Sequence, residues 1–106
     1  MTFKKFKKIA VELGWNVSVY ENDITLQQYT SFGQDFFFTI QKDKELISQV
    51  YGYYESYDPS EEALLWTGSD GHGKNGAPYE LKDIIKDMEE CEQMVKELYE
   101  KLLGNI

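Results

Sequence analysis

The stretch Ile24-Thr-Leu-Gln-Gln-Tyr29-Thr-Ser-Phe-Gly-Gln-Asp35-Phe-Phe-Phe-Thr-Ile-Gln41 decides the fold. Ile24 to Tyr29 and Asp35 to Gln41 are short runs rich in β-branched and aromatic residues, the composition that suits a pleated, half-buried surface. Between them Ser31-Phe32-Gly33-Gln34 supplies turn chemistry. Two strands joined so closely must run antiparallel. Just upstream, Trp15-Asn-Val-Ser-Val-Tyr20 alternates apolar and polar residues, and Glu21-Asn22-Asp23 turns it back. The three runs therefore predict a three-stranded antiparallel meander. One face of such a sheet needs a cover, and helices are the available elements.

Helical spacing appears on both sides of the meander. From Thr2 to Leu13, Phe3, Phe6, Ile9, Ala10 and Leu13 recur every three or four residues, with Thr2 as N-cap and Gly14 as the residue after the C-cap. Downstream, Asp43 is the expected N-cap of a helix from about Lys44 to Tyr54, with Leu46, Ile47, Val50 and Tyr54 as its apolar stripe. Asp58-Pro59-Ser60-Glu61-Glu62 starts another, with Asp as cap, Pro in the first turn and acids near the helix N-terminus. It should run through Leu64, Leu65 and Trp66. Thr67 to Ala77 holds four glycines and reads as a loop. After Pro78 comes the strongest pattern in the chain: Leu81, Ile84, Met88, Cys91, Val95, Leu98 and Leu102, widened by Ile85, Tyr99 and Leu103. A helix of about 26 residues, nearly 40 Å long, packs either across its own sheet, the preferred reading, or against a second copy. The expected class is α+β, in the order α-β-β-β-α-α-α, with helices mainly on one face and a long C-terminal helix.

Size and composition bound the rest. The 106 residues fit one domain, since halving the chain would leave cores of marginal burial. No apolar run approaches the roughly 20 residues of a bilayer span. The lysines at the N-terminus are not followed by the apolar stretch of a signal peptide. A cytoplasmic protein without membrane association is the expectation. Cys91 and His72 are single, so one chain cannot assemble the usual zinc sets, and no calcium-loop spacing occurs. No cofactor is expected.

Charge limits the partners. The net is −8, all eleven basic residues are Lys, and four of them are Lys4, Lys5, Lys7 and Lys8. The remaining seven Lys face nineteen acids, a net of −12. An acidic chain without Arg lacks both the field and the bidentate donor for phosphate or guanine, so direct nucleic-acid binding is not expected. A basic protein, or one that itself binds nucleic acid, suits this surface.

Three features imitate chemistry. Gly68-Ser-Asp-Gly-His-Gly73-Lys74-Asn75 has the glycine and lysine spacing of a phosphate loop. It lacks the hydroxyl that binds Mg²⁺, and Gly76 and Pro78 postpone the helix that should hold the phosphate. A small hydrolase or nucleotide-dependent enzyme built on Asp70, His72 and Lys74 is one alternative reading; a small structural or homodimeric accessory protein, paired through the 80–103 helix, is the other. His72, however, has no orienting carboxylate identifiable from spacing. Cys91 falls on the apolar stripe and reads as a buried, inert thiol. Glu61-Glu62 and Glu89-Glu90 diverge around a helix and read as solvated charge. The expectation is a non-enzymatic binding protein. Its candidate contact residues are Tyr53, Tyr54, Glu55, Tyr57, Asp58, Glu61 and Glu62, where tyrosines and acids interleave, together with Asp70, His72 and Lys74 of the loop. Because Tyr51, Tyr53, Tyr54 and Tyr57 cannot all share one buried face, at least one should be exposed.

Ser31-Phe-Gly-Gln-Asp-Phe-Phe-Phe, Tyr57-Asp-Pro-Ser-Glu-Glu with Trp66, and Gly73-Lys-Asn-Gly-Ala-Pro before an acidic helix carry a resemblance. Over about positions 29 to 103 the chain resembles a group of small acidic accessory proteins of phages, conjugative elements and gut bacteria. The resemblance implies a mobile-element setting and anti-defence work, with a partner encoded by the host or by the element. The binding reading adds its own expectation, that carboxylates on the 55–62 segment and the last helix stand in for phosphates and mimic nucleic acid. The resemblance transfers no catalytic residue. Glu62 stands where that group often has His.

Overall fold

The computed structural model describes residues 1–65, 78 and 80–106. Its elements are α1 (Phe3–Glu12), β1 (Asn16–Tyr20), β2 (Asp23–Tyr29), β3 (Asp35–Gln41), α2 (Leu46–Ser56), α3 (Pro59–Leu65) and α4 (Leu81–Leu103). The sheet order is β1-β2-β3, both pairings antiparallel, with Leu26 opposite Val17 on one side and Phe38 on the other. The α+β meander expected from the sequence is the fold observed.

Alternation sorts the two faces. Ile24 and Leu26 of β2, with Phe36, Phe38 and Ile40 of β3, are buried beneath the helices. The opposite face carries Tyr29, Phe37 and Thr39, all exposed. There Asn16 Nδ2 donates to Gln27 Oε1 (2.7 Å), Gln27 Nε2 donates to Asp35 Oδ1 (2.8 Å), and the Thr25 and Thr39 hydroxyls meet at 3.1 Å. This polar ladder ties all three strands on the uncovered side. β1 is less covered than its alternation predicts: only Val17 is half-buried and Val19 is exposed. It is an edge strand, and the apolar anchor of this region is Trp15, just before it, which is buried.

The main core joins Phe6, Ile9 and Ala10 of α1, Trp15, the inner face of β2 and β3, Leu46 and Val50 of α2, and Cys91, Val95, Leu98 and Leu102 of α4. A smaller cluster of Ala63, Ile84 and Met88 lies between α3 and the start of α4. The α4 stripe from Ile84 to Leu102 is buried within the chain itself. Leu81 and Leu103, counted into that stripe from the sequence, are exposed because they sit at its two ends.

The caps follow local chemistry. Thr2 Oγ1 accepts from Lys5 N at 3.2 Å, as expected. Gly14 has φ +95°, and a Cβ there would meet the Gln28 amide at 2.5 Å. That amide donates to Leu13 O at the end of α1 (3.2 Å). Asp58 Oδ1 accepts from Ser60 N (3.0 Å) and Glu61 N (3.4 Å) and so caps α3. Two expectations need correction. α4 starts at Leu81, three residues beyond Pro78, and has 23 residues rather than about 26. The N-cap of α2 is Glu45, whose carboxylate accepts from Ile47 N (3.1 Å) and Ser48 N (2.5 Å). Asp43 is drawn elsewhere: it exchanges hydrogen bonds with Asn22 (Nδ2 to Oδ1 2.8 Å, Oδ1 from Asp43 N 3.0 Å) and closes the β1–β2 turn onto the end of β3.

The Ser48 and Ile47 hydrogen bonds hold the Glu45 carboxyl below its ordinary range. A lowered folded-state value means stability that is present above the unfolded value and lost as pH falls through the folded one. Glu45→Ala is therefore expected to cost roughly 0.5–2 kcal/mol at neutral pH, and the loss should shrink under acid. Urea titration at pH 7 and below pH 4 checks this; a cost that is the same at both would assign the effect to something other than the charged cap.

Candidate functional site

A cleft of about 210 Å³ opens where the start of β3, the end of α2, α3 and α4 converge. Its floor is aromatic. Tyr53 stacks on Phe38 with centroids 4.4 Å apart and planes 10° from parallel. Tyr57, directly after α2, meets Phe36 edge-on at 6.2 Å and 84°, and Tyr53 at 6.0 Å. Its hydroxyl donates to Met88 Sδ at 3.3 Å, which joins the cleft wall to α4. Such edge and offset contacts fix ring orientation as well as burying area.

The rim is polar and acidic. Gln34 enters from the turn before β3 and Asp35 from the strand's first position, while Glu62 lines the cleft from α3. Among the described residues no lysine lines the cleft. Partial burial, with the neighbouring Glu61 adding to it, holds the Glu62 carboxyl above its ordinary range. Burial likewise raises both Tyr53 and Tyr57, with the Glu62 charge contributing to each. Both phenols stay protonated at physiological pH, so the site offers neutral aromatic faces beside carboxylates. That combination attracts cations: the ring faces and the carboxylates act with the same sign.

The turn that positions Gln34 is braced from α4. Ser31 donates to Glu90 twice, from its N–H (2.8 Å) and its hydroxyl (2.6 Å). Thr30 and Gln34 close the turn by a backbone bond of 3.0 Å, and Gly33 adopts φ +93°. Glu90, read from the sequence as solvated charge, is thus a structural clamp.

Of the residues singled out in the sequence, Tyr53, Tyr57 and Glu62 meet in the cleft. Tyr54 packs against the main core instead. Glu55 is exposed and accepts from the hydroxyl of Tyr51, the tyrosine of the group that is exposed (2.9 Å). Asp58 is engaged in capping α3, and Glu61 is exposed in its first turn. Asp70, His72 and Lys74, with Trp66, lie outside the described residues. Gln34, Asp35, Phe36, Phe37 and Met88 complete the cleft and were not anticipated. Their only signal is the acid and amide placed immediately before an aromatic strand.

Beneath Gln34 lies a second polar group of side chains. Cys91 Sγ sits 3.5 Å from Gln34 Oε1, and burial pushes its thiol up to about 12. A thiol so raised is protonated and a poor nucleophile. Asp87, one helical turn before it, is fully buried, and neither carboxyl oxygen has a hydrogen-bond partner among the described residues. Among those residues no three His, Cys, Asp or Glu side chains gather as metal ligands, and no described helix is long and apolar enough to cross a membrane. No protein-family model, curated protein or solved structure matches the chain.

Proposed function

We propose that the protein is a non-enzymatic binding module whose ligand is a basic segment of another protein. The observation that carries this reading is the cleft itself: stacked neutral aromatics flanked by Asp35 and Glu62, with no lysine among the described residues of its lining. The chain's acidity strengthens encounter with a basic partner at low salt. Close contact with the Glu62 carboxylate then supplies orientation. Phage or mobile-element origin, and inhibition of a host DNA-processing protein through carboxylates standing in for phosphates, are consistent extensions of the same reading. In that case Glu61, Glu62 and Asp35 stand for the phosphates, since Asp58 is engaged at its helix.

The probe is a fluorescently labelled, end-blocked octalysine peptide, titrated against the wild type, Glu62→Gln and Glu100→Gln. Both variants remove one charge. Glu100 lies on α4 about 18 Å along the helix from Met88, far from the cleft. Loss of Glu62 should weaken binding about fivefold, roughly 1 kcal/mol, while loss of Glu100 leaves it nearly unchanged. Affinity should fall steeply as salt rises. Equal effects of the two variants, or indifference to salt, would remove the basis for the proposal.

A further inference from the structure

β3 is an edge strand, and its hydrogen-bonding rungs divide into two sets. The N–H of Lys42 donates to Asn22 O at 2.7 Å, on the β2 side. Gln41 points the other way: its N–H donates to Gln49 Oε1 (2.7 Å), and its C=O accepts from Gln49 Nε2 (2.8 Å). In an antiparallel strand the N–H and C=O of one residue share an edge, and alternate residues face opposite edges. Asp35, Phe37 and Thr39 therefore present their rungs along the same outer edge as Gln41. Among the described residues no backbone or side-chain group pairs with those three. The Gln49 amide shows what this edge takes, because it fills one rung as a neighbouring peptide unit would.

The free rungs run directly into the cleft, whose lining includes Asp35 and Phe37. A strand laid along them would send alternate side chains to opposite faces. One set would cover Phe37, which is 55% exposed, and Thr39 on the bare face of the sheet. The other would turn toward Tyr53 and Glu62. We infer that the β3 edge accepts an extended, lysine- or arginine-bearing segment of a partner protein as a fourth strand, its basic side chains entering the cleft beside Glu62. This rests on the proposed basic partner and adds the mode of recognition, in which main-chain bonds give affinity and alternate side chains give selectivity. Charge decides against a second copy as the occupant: pairing β3 with β3 would join two chains that each carry a net charge of −8.

The test uses an end-blocked heptapeptide of alternating lysine and valine, and a control of identical composition with the two residue types in separate blocks. Alternation should bind about tenfold more tightly, and N-methylation of every second peptide bond of the alternating peptide should abolish the advantage in one register only. Phe37→Pro removes an outer donor while leaving the bonds to β2 intact, so it should erase the difference between the peptides. Thermal unfolding followed by circular dichroism verifies that variant, and the N-methylated peptides give the same information on the wild type. Gln49→Ala, which frees the Gln41 rung, should preserve or strengthen binding. Equal affinity for the alternating and blocked peptides would overturn strand addition while leaving the basic-partner reading in place. Absence of salt-sensitive binding by either peptide would overturn both. A dimer in solution with Phe37 and Thr39 amides protected from hydrogen exchange would assign the edge to a second copy and overturn the inference.

Discussion

Phe38→Ala is expected to destabilise the protein by about 4 kcal/mol. Phe38 is 4% exposed and lies at the centre of the aromatic group. Trp15 meets it edge-on at 5.6 Å and 86°, Tyr53 stacks on it at 4.4 Å, and Phe36 lies 6.3 Å away. Removing this ring forfeits its own burial and leaves a cavity that three stiff neighbours cannot collapse to fill. Native domains are stable by only about 5–15 kcal/mol, so the loss is a large share of the total. The adjacent Phe37→Ala should cost well under half as much, because that ring stands on the uncovered face. The pair is a register test: a slip of one residue would exchange the two effects. Urea unfolding monitored by circular dichroism measures both. A Phe37 variant as damaged as the Phe38 variant would contradict the facing of β3. Phe38→Ala should also weaken octalysine binding at temperatures where it remains folded, since Tyr53 loses the surface it stacks on.

The same strand shows why much of the fold could be read in advance. Phe36, Phe38 and Ile40 alternate with Phe37 and Thr39, and burial follows that alternation. Thr2, Gly14 and Asp58-Pro59 mark helix ends by short-range chemistry, which sequence spacing captures directly. Failures occurred where a nearby competitor existed. Asp43 and Glu45 can both cap α2, and the choice fell to Glu45 because Asn22, 21 residues away, engages Asp43. The cleft was only half legible for a similar reason. Tyr53, Tyr57 and Glu62 lie within ten residues and could be suspected together. Their meeting with Gln34, Asp35 and Met88 depends on how α3 and α4 fold back over the start of β3. Asp87 is invisible to a helical periodicity carried by apolar residues alone. Its spacing from Ile84 and Cys91 nevertheless places it on the buried stripe.

That buried acid yields the second large effect. Asp87 has no exposed surface and no partner for either oxygen among the described residues. Burial raises its carboxyl above the ordinary value of 3.8; the Thr30 hydroxyl, whose geometry falls short of a hydrogen bond, opposes the rise, and the Glu90 charge adds to it. The Cys91 thiol beside it stays neutral, and ionised it would only add a second negative charge. A carboxyl raised in the folded state binds more protons folded than unfolded between 3.8 and its folded value. Stability through this group therefore declines as pH rises across that window, and the penalty is complete above it. Asp87→Asn keeps the shape and removes the charge. It should stabilise the protein by about 1–3 kcal/mol at pH 7, and the advantage should shrink toward zero as pH falls below 3.8, where the carboxyl is protonated in the unfolded as well as the folded chain. Glu45 shifts in the opposite direction, so the difference between the two proteins at each pH, rather than either curve alone, isolates Asp87. Chemical denaturation at four or five pH values gives that difference. An Asn variant less stable than the wild type at pH 7 would mean that the charge is held by a partner. In that case Asp87 would belong with the acids that hold the structure, as Glu90 does through Ser31.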